Sequence, residues 1–244
     1  MRTLTKFTSV LFIALASFAY TANASLILEW NSNSMSSNNP ATGASAKATL
    51  DFFDDSDFAN NGLVWINMEI RNTTGEITPF GAGATTSKLT GIAFDLIAND
   101  GLDQANFMGG TYFDFMLTPA PVPPNPPLDF GVADNDNFLG GNANNALPEA
   151  MEDSLSMKIK FGILDAAAVE AAFKDGFMNS SLNYIARFQQ VNAGEGSDKL
   201  NGGECCGNGG GGPDGPPNVL VPEPSTLFLL GSTLFALSLR RKTY

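Results

Sequence analysis

The middle of the chain alternates apolar and polar residues with period two, and that pattern limits its fold more than any other feature. In Ser154-Leu155-Ser156-Met157-Lys158-Ile159-Lys160-Phe161 every second residue is apolar and those between are polar. Successive side chains of an extended strand point to opposite faces, so this segment reads as a strand with one dry face. Val64, Ile66, Met68 and Ile70 form another such face, with Trp65, Asn67 and Glu69 opposite. Ala46, Ala48, Leu50 and Phe52 alternate with Lys47, Thr49 and Asp51. Ile92, Phe94 and Leu96 repeat the theme, as do Phe113, Phe115 and Leu117, and then Tyr184, Ala186 and Phe188. Leu26, Leu28 and Trp30 start the first strand.

One segment has the helical period instead. Asp165 can cap it, Ala166 to Lys174 are mostly good helix formers, and Gly176 can end it. Clusters of Asn, Gly, Pro and Ser separate the strands, at 31–42, 81–87 and 140–145. A parallel α/β sheet would need a helix after nearly every strand. The expected fold is therefore all-β: an antiparallel β-sandwich, jelly-roll or immunoglobulin-like, over residues 25–200 with one short helix. Pro119 to Pro127 is too proline-dense for a sheet and reads as an exposed polyproline II loop, a stiff connection within the domain. Residues 201–221, rich in glycine and proline, read as a flexible tether.

Both ends carry address-like patterns. Arg2 and Lys6 precede an apolar run from Val10 to Ala19, and Ala22-Asn23-Ala24 fits the small-x-small pattern that signal peptidase accepts before Ser25. Residues 1–24 therefore read as a secretory signal peptide. Removing them takes away two basic residues and no acid, leaving 11 basic against 25 acidic residues, a net charge of −14. At the other end, Pro222-Glu223-Pro224 is followed by an uncharged stretch, Ser225 to Leu239, and then by Arg240-Arg241-Lys242. As a helix that stretch would be apolar around its whole circumference, which describes a transmembrane span over about 225–239 rather than a surface helix. At ~1.5 Å per residue it is somewhat shorter than a hydrocarbon core of ~30 Å. The basic trio can snorkel to the headgroups and marks the cytoplasmic side.

This tripartite end, residues 222–244, resembles the PEP-CTERM sorting signal of exported proteins from exopolysaccharide-producing Gram-negative bacteria. The resemblance implies that a membrane-embedded exosortase-type enzyme recognises Pro222, Glu223 and Pro224 and removes or transfers the tail. The protein would be a substrate of that enzyme and of signal peptidase, held first at the inner membrane. It would then be delivered to the cell surface or extracellular matrix, where exopolysaccharide is a further candidate partner.

The composition narrows the chemistry. The chain has no histidine, which removes His-based acid–base catalysis, Ser-His-Asp and Cys-His nucleophiles, and His-ligated metals. Its net charge of −12 argues against a nucleic-acid partner, since phosphate must be met by Lys and Arg. No catalytic residues emerge, and the expectation is a non-enzymatic protein, with a secreted hydrolase as the disfavoured alternative. Two acidic clusters are calcium candidates: Asp54, Asp55 and Asp57, and Asp134 with Asp136. Neither has EF-hand spacing, and solvated turn acids are the plainer reading. Cys205 and Cys206 are adjacent and could form a disulfide or a crosslink. Trp30, Trp65, Tyr112 and Tyr184 could stack on sugar rings, with Trp65 and Asn67 on the strand face away from Val64 and Ile66. A carbohydrate- or calcium-binding adhesion module is thus the second functional expectation.

Overall fold

The computed structural model describes residues 25–97, 101–136, 138, 143–193, 196–202 and 204–205. Their strands are β1 (Leu26–Trp30), β2 (Met35–Ser36), β3 (Ala46–Asp54), β4 (Leu63–Asn72), β5 (Lys88–Phe94), β6 (Gly101–Met108), β7 (Phe115–Leu117), β8 (Phe130–Ala133), β9 (Leu147–Pro148), β10 (Glu152–Lys160), β11 (Tyr184–Gln189), β12 (Ser197–Asn201) and β13 (Glu204–Cys205). A single-turn helix, α1 (Phe58–Asn61), joins β3 to β4, and α2 (Ala166–Met178) joins β10 to β11. The strands form two antiparallel sheets. The first runs β13-β1-β3-β4-β10-β6; the second runs β2-β12-β11-β5-β8-β7, with β9 also paired to β5. The described fold therefore continues past Leu200, the expected domain end, because β12 reaches Asn201 and β13 pairs Cys205 with Leu28.

The alternation translates into burial. Ala46, Ala48, Leu50 and Phe52 of β3, Val64, Ile66, Met68 and Ile70 of β4, and Leu155, Met157 and Ile159 of β10 all face inward. They meet Leu89, Ile92, Phe94, Phe130, Val132, Ala186 and Phe188 of the second sheet in one core. Helix α2 closes that core. Its Phe173 ring lies 5.6 Å from Phe52 of the first sheet, 6.2 Å from Phe94 of the second, and 5.9 Å from Phe161. Asp165 caps α2 as expected, accepting the Ala168 N–H at 2.9 Å. Gly176 does not end it: the helix runs to Met178, and a Cβ at Gly176 would lie 2.5 Å from Leu182 Cδ1. Glycine is needed there for close approach rather than for termination.

Two other expectations change. The face expected from Phe113, Phe115 and Leu117 is out of phase: Phe113 and Met116 are buried and Phe115 is exposed. The chain turns just before β7, where Gly110 N–H bonds to Phe113 O and the Asp153 carboxylate gathers the N–H groups of 111–113, shifting the strand by one residue. The proline segment is exposed at Pro119, Pro123, Pro124, Pro126 and Pro127, as expected of a stiff connection, but it is not exposed throughout. Ala120, Val122 and Leu128 are buried with Ala93, Ala133, Phe138 and Ile185 in a second, smaller core on the outer face of the second sheet. A bridge between Ala120 and Leu128 holds it as a flap. The apolar outward residues of β5 and β11 require such a cover.

Among the described residues no helix is long and apolar enough to cross a membrane. The span expected at 225–239 lies outside them, as do residues 1–24 and the tether from 206 to 221.

Candidate functional site

The first acidic cluster sits where β3 ends. Asp54 Oδ1 accepts the Ala166 N–H at 2.7 Å and so holds the start of α2. Asp55 turns the other way. Its carboxylate meets Lys158 Nζ at 2.9 Å, the Trp65 indole N–H at 3.0 Å and the Asn61 amide at 2.7 Å. The hydrogen bond from Lys158 leads in pulling the Asp55 carboxyl down to about 2. Asp57 accepts the Asn60 amide at 2.5 Å within the same turn. Each carboxylate thus serves a different local partner, and the Lys158 ammonium already supplies the positive charge beside Asp55. That ammonium also lies 4.3 Å from the centre of the Trp65 ring, covering a face on which a sugar would have stacked.

The second cluster divides as well. Asp134 is buried and Asp136 is exposed. Asp134 Oδ1 accepts from the Asn135 amide at 2.8 Å, whereas Oδ2 is buried with no hydrogen-bond partner. Burial raises the Asp134 carboxyl to about 6, with the nearby Arg187 guanidinium opposing the rise and Asp114 adding to it. Among the described residues no group of three or more His, Cys, Asp or Glu side chains is placed to hold a metal ion.

Two acids that the alternation leaves unremarked are the best-satisfied in the fold. Asp153 accepts the N–H groups of Thr111, Tyr112 and Phe113 at 2.8, 2.8 and 2.9 Å. Asp198 accepts from the Ser36, Ser37 and Thr42 hydroxyls and from two backbone N–H groups, pinning the turn after β1 to β12. Both are structural. Their sequence signal is an Asp at an inward position of an alternating segment, which demands compensating donors.

The outer face of the first sheet carries a cleft of about 430 Å³, lined by Asp51, Asn67, Glu69, Met108, Ser154 and Ser156, among others. Registry builds it. Asp51 pairs with Asn67, Asn67 with Ser156, and Ser156 with Met108, so one polar row crosses β3, β4, β10 and β6. One pleat along lies a second row, Thr49, Glu69 and Ser154. The short serines beside Met108 and Gly109 leave the depression. Asn67 and Glu69 were legible as outward-facing; their alignment with Ser156 and Met108 was not.

Of the other expected aromatics, Trp30 and Tyr184 are core, 5.5 Å apart, and Tyr112 packs at its margin. Cys205 is disulfide-bonded in β13; Cys206 lies outside the described residues. Ser25 is exposed ahead of β1, its hydroxyl bonded to Asp51 at 2.5 Å, whereas Ala22 and Ala24 are outside the described residues. So are Pro222, Glu223, Pro224, Arg240, Arg241 and Lys242.

Those last six residues are nonetheless placed by comparison. Residues 220–242 match the PEP-CTERM protein-sorting motif. That motif, at the C-terminal position of an exosortase substrate, supports an exported protein sorted by an exosortase and processed at a membrane. The chain matches no curated protein and no solved structure.

Proposed function

We propose that this chain is a non-enzymatic display protein. A signal peptide, residues 1–24, carries it across the inner membrane; the span at 225–239 holds it there; the exosortase then releases or transfers it to the cell surface or polysaccharide matrix. The folded part is a β-sandwich, jelly-roll or immunoglobulin-like, and its work is done by what its surface contacts. The observation that carries this reading is the sorting motif at 220–242, with Pro-Glu-Pro, an apolar stretch and a basic stop in that order. The absence of histidine from the chain supports a role without chemistry of its own.

Intact-mass measurement of the protein from its native host tests it. The expected mature chain starts at Ser25 and ends close to Pro222. A chain that keeps Arg240-Arg241-Lys242 in a host with an active exosortase would overturn the processing step. Replacing Pro222, Glu223 and Pro224 together by alanine should leave the protein in the membrane fraction with its tail intact.

A further inference from the structure

The geometry points to the cleft on the outer face of the first sheet as a binding site for a glycan segment that carries no negative charge. The row Asp51, Asn67, Ser156, Met108 crosses four adjacent strands, a length of ~14 Å at the usual strand spacing. Two or three sugar rings in an extended chain span about that distance, and the volume of about 430 Å³ lies within the usual range for small-ligand sites.

The lining has the chemistry that a polyol needs. Sugar hydroxyls are donors in excess of any apolar surface, and Asp51 and Glu69 offer only acceptor oxygens. Asn67, Ser154 and Ser156 both donate and accept, so they can match hydroxyls in either sense. Met108, 54% exposed, supplies an apolar wall at one end of the row, and Phe53, 43% exposed, continues the face on the side of Trp65. Asp and Asn are poor strand formers, yet Asp51 and Asn67 face each other in the middle of long strands. Asp51 accepts the Ser25 hydroxyl, whereas the Asn67 amide makes no side-chain hydrogen bond among the described residues, and a polar row facing a ligand accounts for it.

Charge selects among glycans. The Asp51 and Glu69 carboxylates both line the cleft, from the neighbouring strands β3 and β4, and join no ion pair found among the described residues. They repel a uronic-acid or sulfated polymer, accept a neutral one, and favour one that bears amines. This inference deepens the display reading, since an extracellular glycan is met only after export, but the cleft's chemistry is independent of how the tail is processed.

The test is calorimetry on the full-length chain purified in detergent, with three hexasaccharides: neutral β-1,4-glucan, its amine-bearing glucosamine counterpart, and oligogalacturonate. The neutral and amine-bearing hexamers should bind, the amine-bearing one several-fold tighter and with stronger salt dependence; oligogalacturonate should not. Ser156→Tyr, which fills the cleft with a good strand former, should abolish binding with the melting temperature preserved. Asn67→Ala should weaken both ligands about three- to tenfold, the worth of one or two hydrogen bonds. Glu69→Gln should reduce the preference for the amine, leaving what Asp51 contributes, and keep neutral binding. Silence with all three sugars, equal binding of oligogalacturonate, or binding that survives Ser156→Tyr would each overturn the proposal. A chain that is correctly processed in its host but binds no hexamer refutes the cleft and leaves the sorting intact. One that binds the hexamers but keeps its tail does the reverse.

Discussion

The two sheets share one core but treat their outer faces in opposite ways. In the first sheet the alternation holds along β3, β4 and β10, and apart from the exposed Phe53 their outward residues are polar, charged or half-buried. In the second, Leu89 to Phe94 of β5 are all buried, because the flap at 118–128 and the Phe138 side chain cover the outside. A sheet that is dry on both faces needs apolar residues on both and loses the period-two signature. A sheet wet on one face keeps it, and is left free to present side chains to a ligand. Apolar burial is doubled where both faces are covered, and the bare face is the one proposed above for recognition.

The largest effect should come from the element that serves both sheets. Phe173→Ala removes the ring that touches Phe52, Phe94 and Phe161, and should cost ~3–5 kcal/mol in chemical denaturation. A comparison across the two faces comes next. Leu128→Ala in the flap should cost ~2–3 kcal/mol, whereas Asn67→Ala on the open face should stay within ~0.5 kcal/mol. Equal losses at the two positions would break the contrast between the sheets.

A smaller, pH-dependent effect belongs to the covered side. The Asp134 carboxyl is raised by burial from 3.8 in the unfolded chain to about 6. Its contribution to stability is complete below about pH 4 and is lost as pH rises through 6, because the folded state binds the proton more tightly. Asp134→Asn should therefore stabilise the domain near pH 7 by on the order of 1–2 kcal/mol, allowing for partial solvent access, and flatten the melting temperature between pH 4 and 7.

The smallest effect lies at the edge of the open face and has the opposite sign. Asp55, held at about 2 against 3.8 unfolded, adds stability above pH 4 that fades as pH falls toward 2. Lys158→Met should raise the Asp55 titration midpoint measured by NMR while barely moving the melting temperature at pH 7. An unmoved midpoint would show that Lys158 is not what holds the carboxyl down.

How much was legible in the sequence follows the same divide. The dry faces of strands β3, β4 and β10 were readable because their pattern is local, though the strands extend beyond the segments expected. The phase of β7 was not, because Asp153, some forty positions away, turns the chain ahead of it. Pro119 to Pro127 read as an exposed, stiff loop within the domain: proline content shows that a segment is stiff and outside the ladder, but not what it lies against. Nor could the acidic clusters be interpreted from spacing, since Asp54 and Asp55 are neighbours in sequence yet reach a helix start and a lysine in different elements. The alternating pattern placed Asn67 and Glu69 outside without revealing that Ser156 and Met108 stand beside them.

The sequence by itself determined the sorting signal and the dry faces of the strands. Both are carried by neighbouring residues, either as a linear motif or as the fixed two-residue period of an extended backbone. The tertiary structure alone decided which side chains share the cleft and which sheet is covered twice. Those relations join residues as far apart in sequence as Asn67 and Ser156, and strand pairing, rather than sequence proximity, sets their distances.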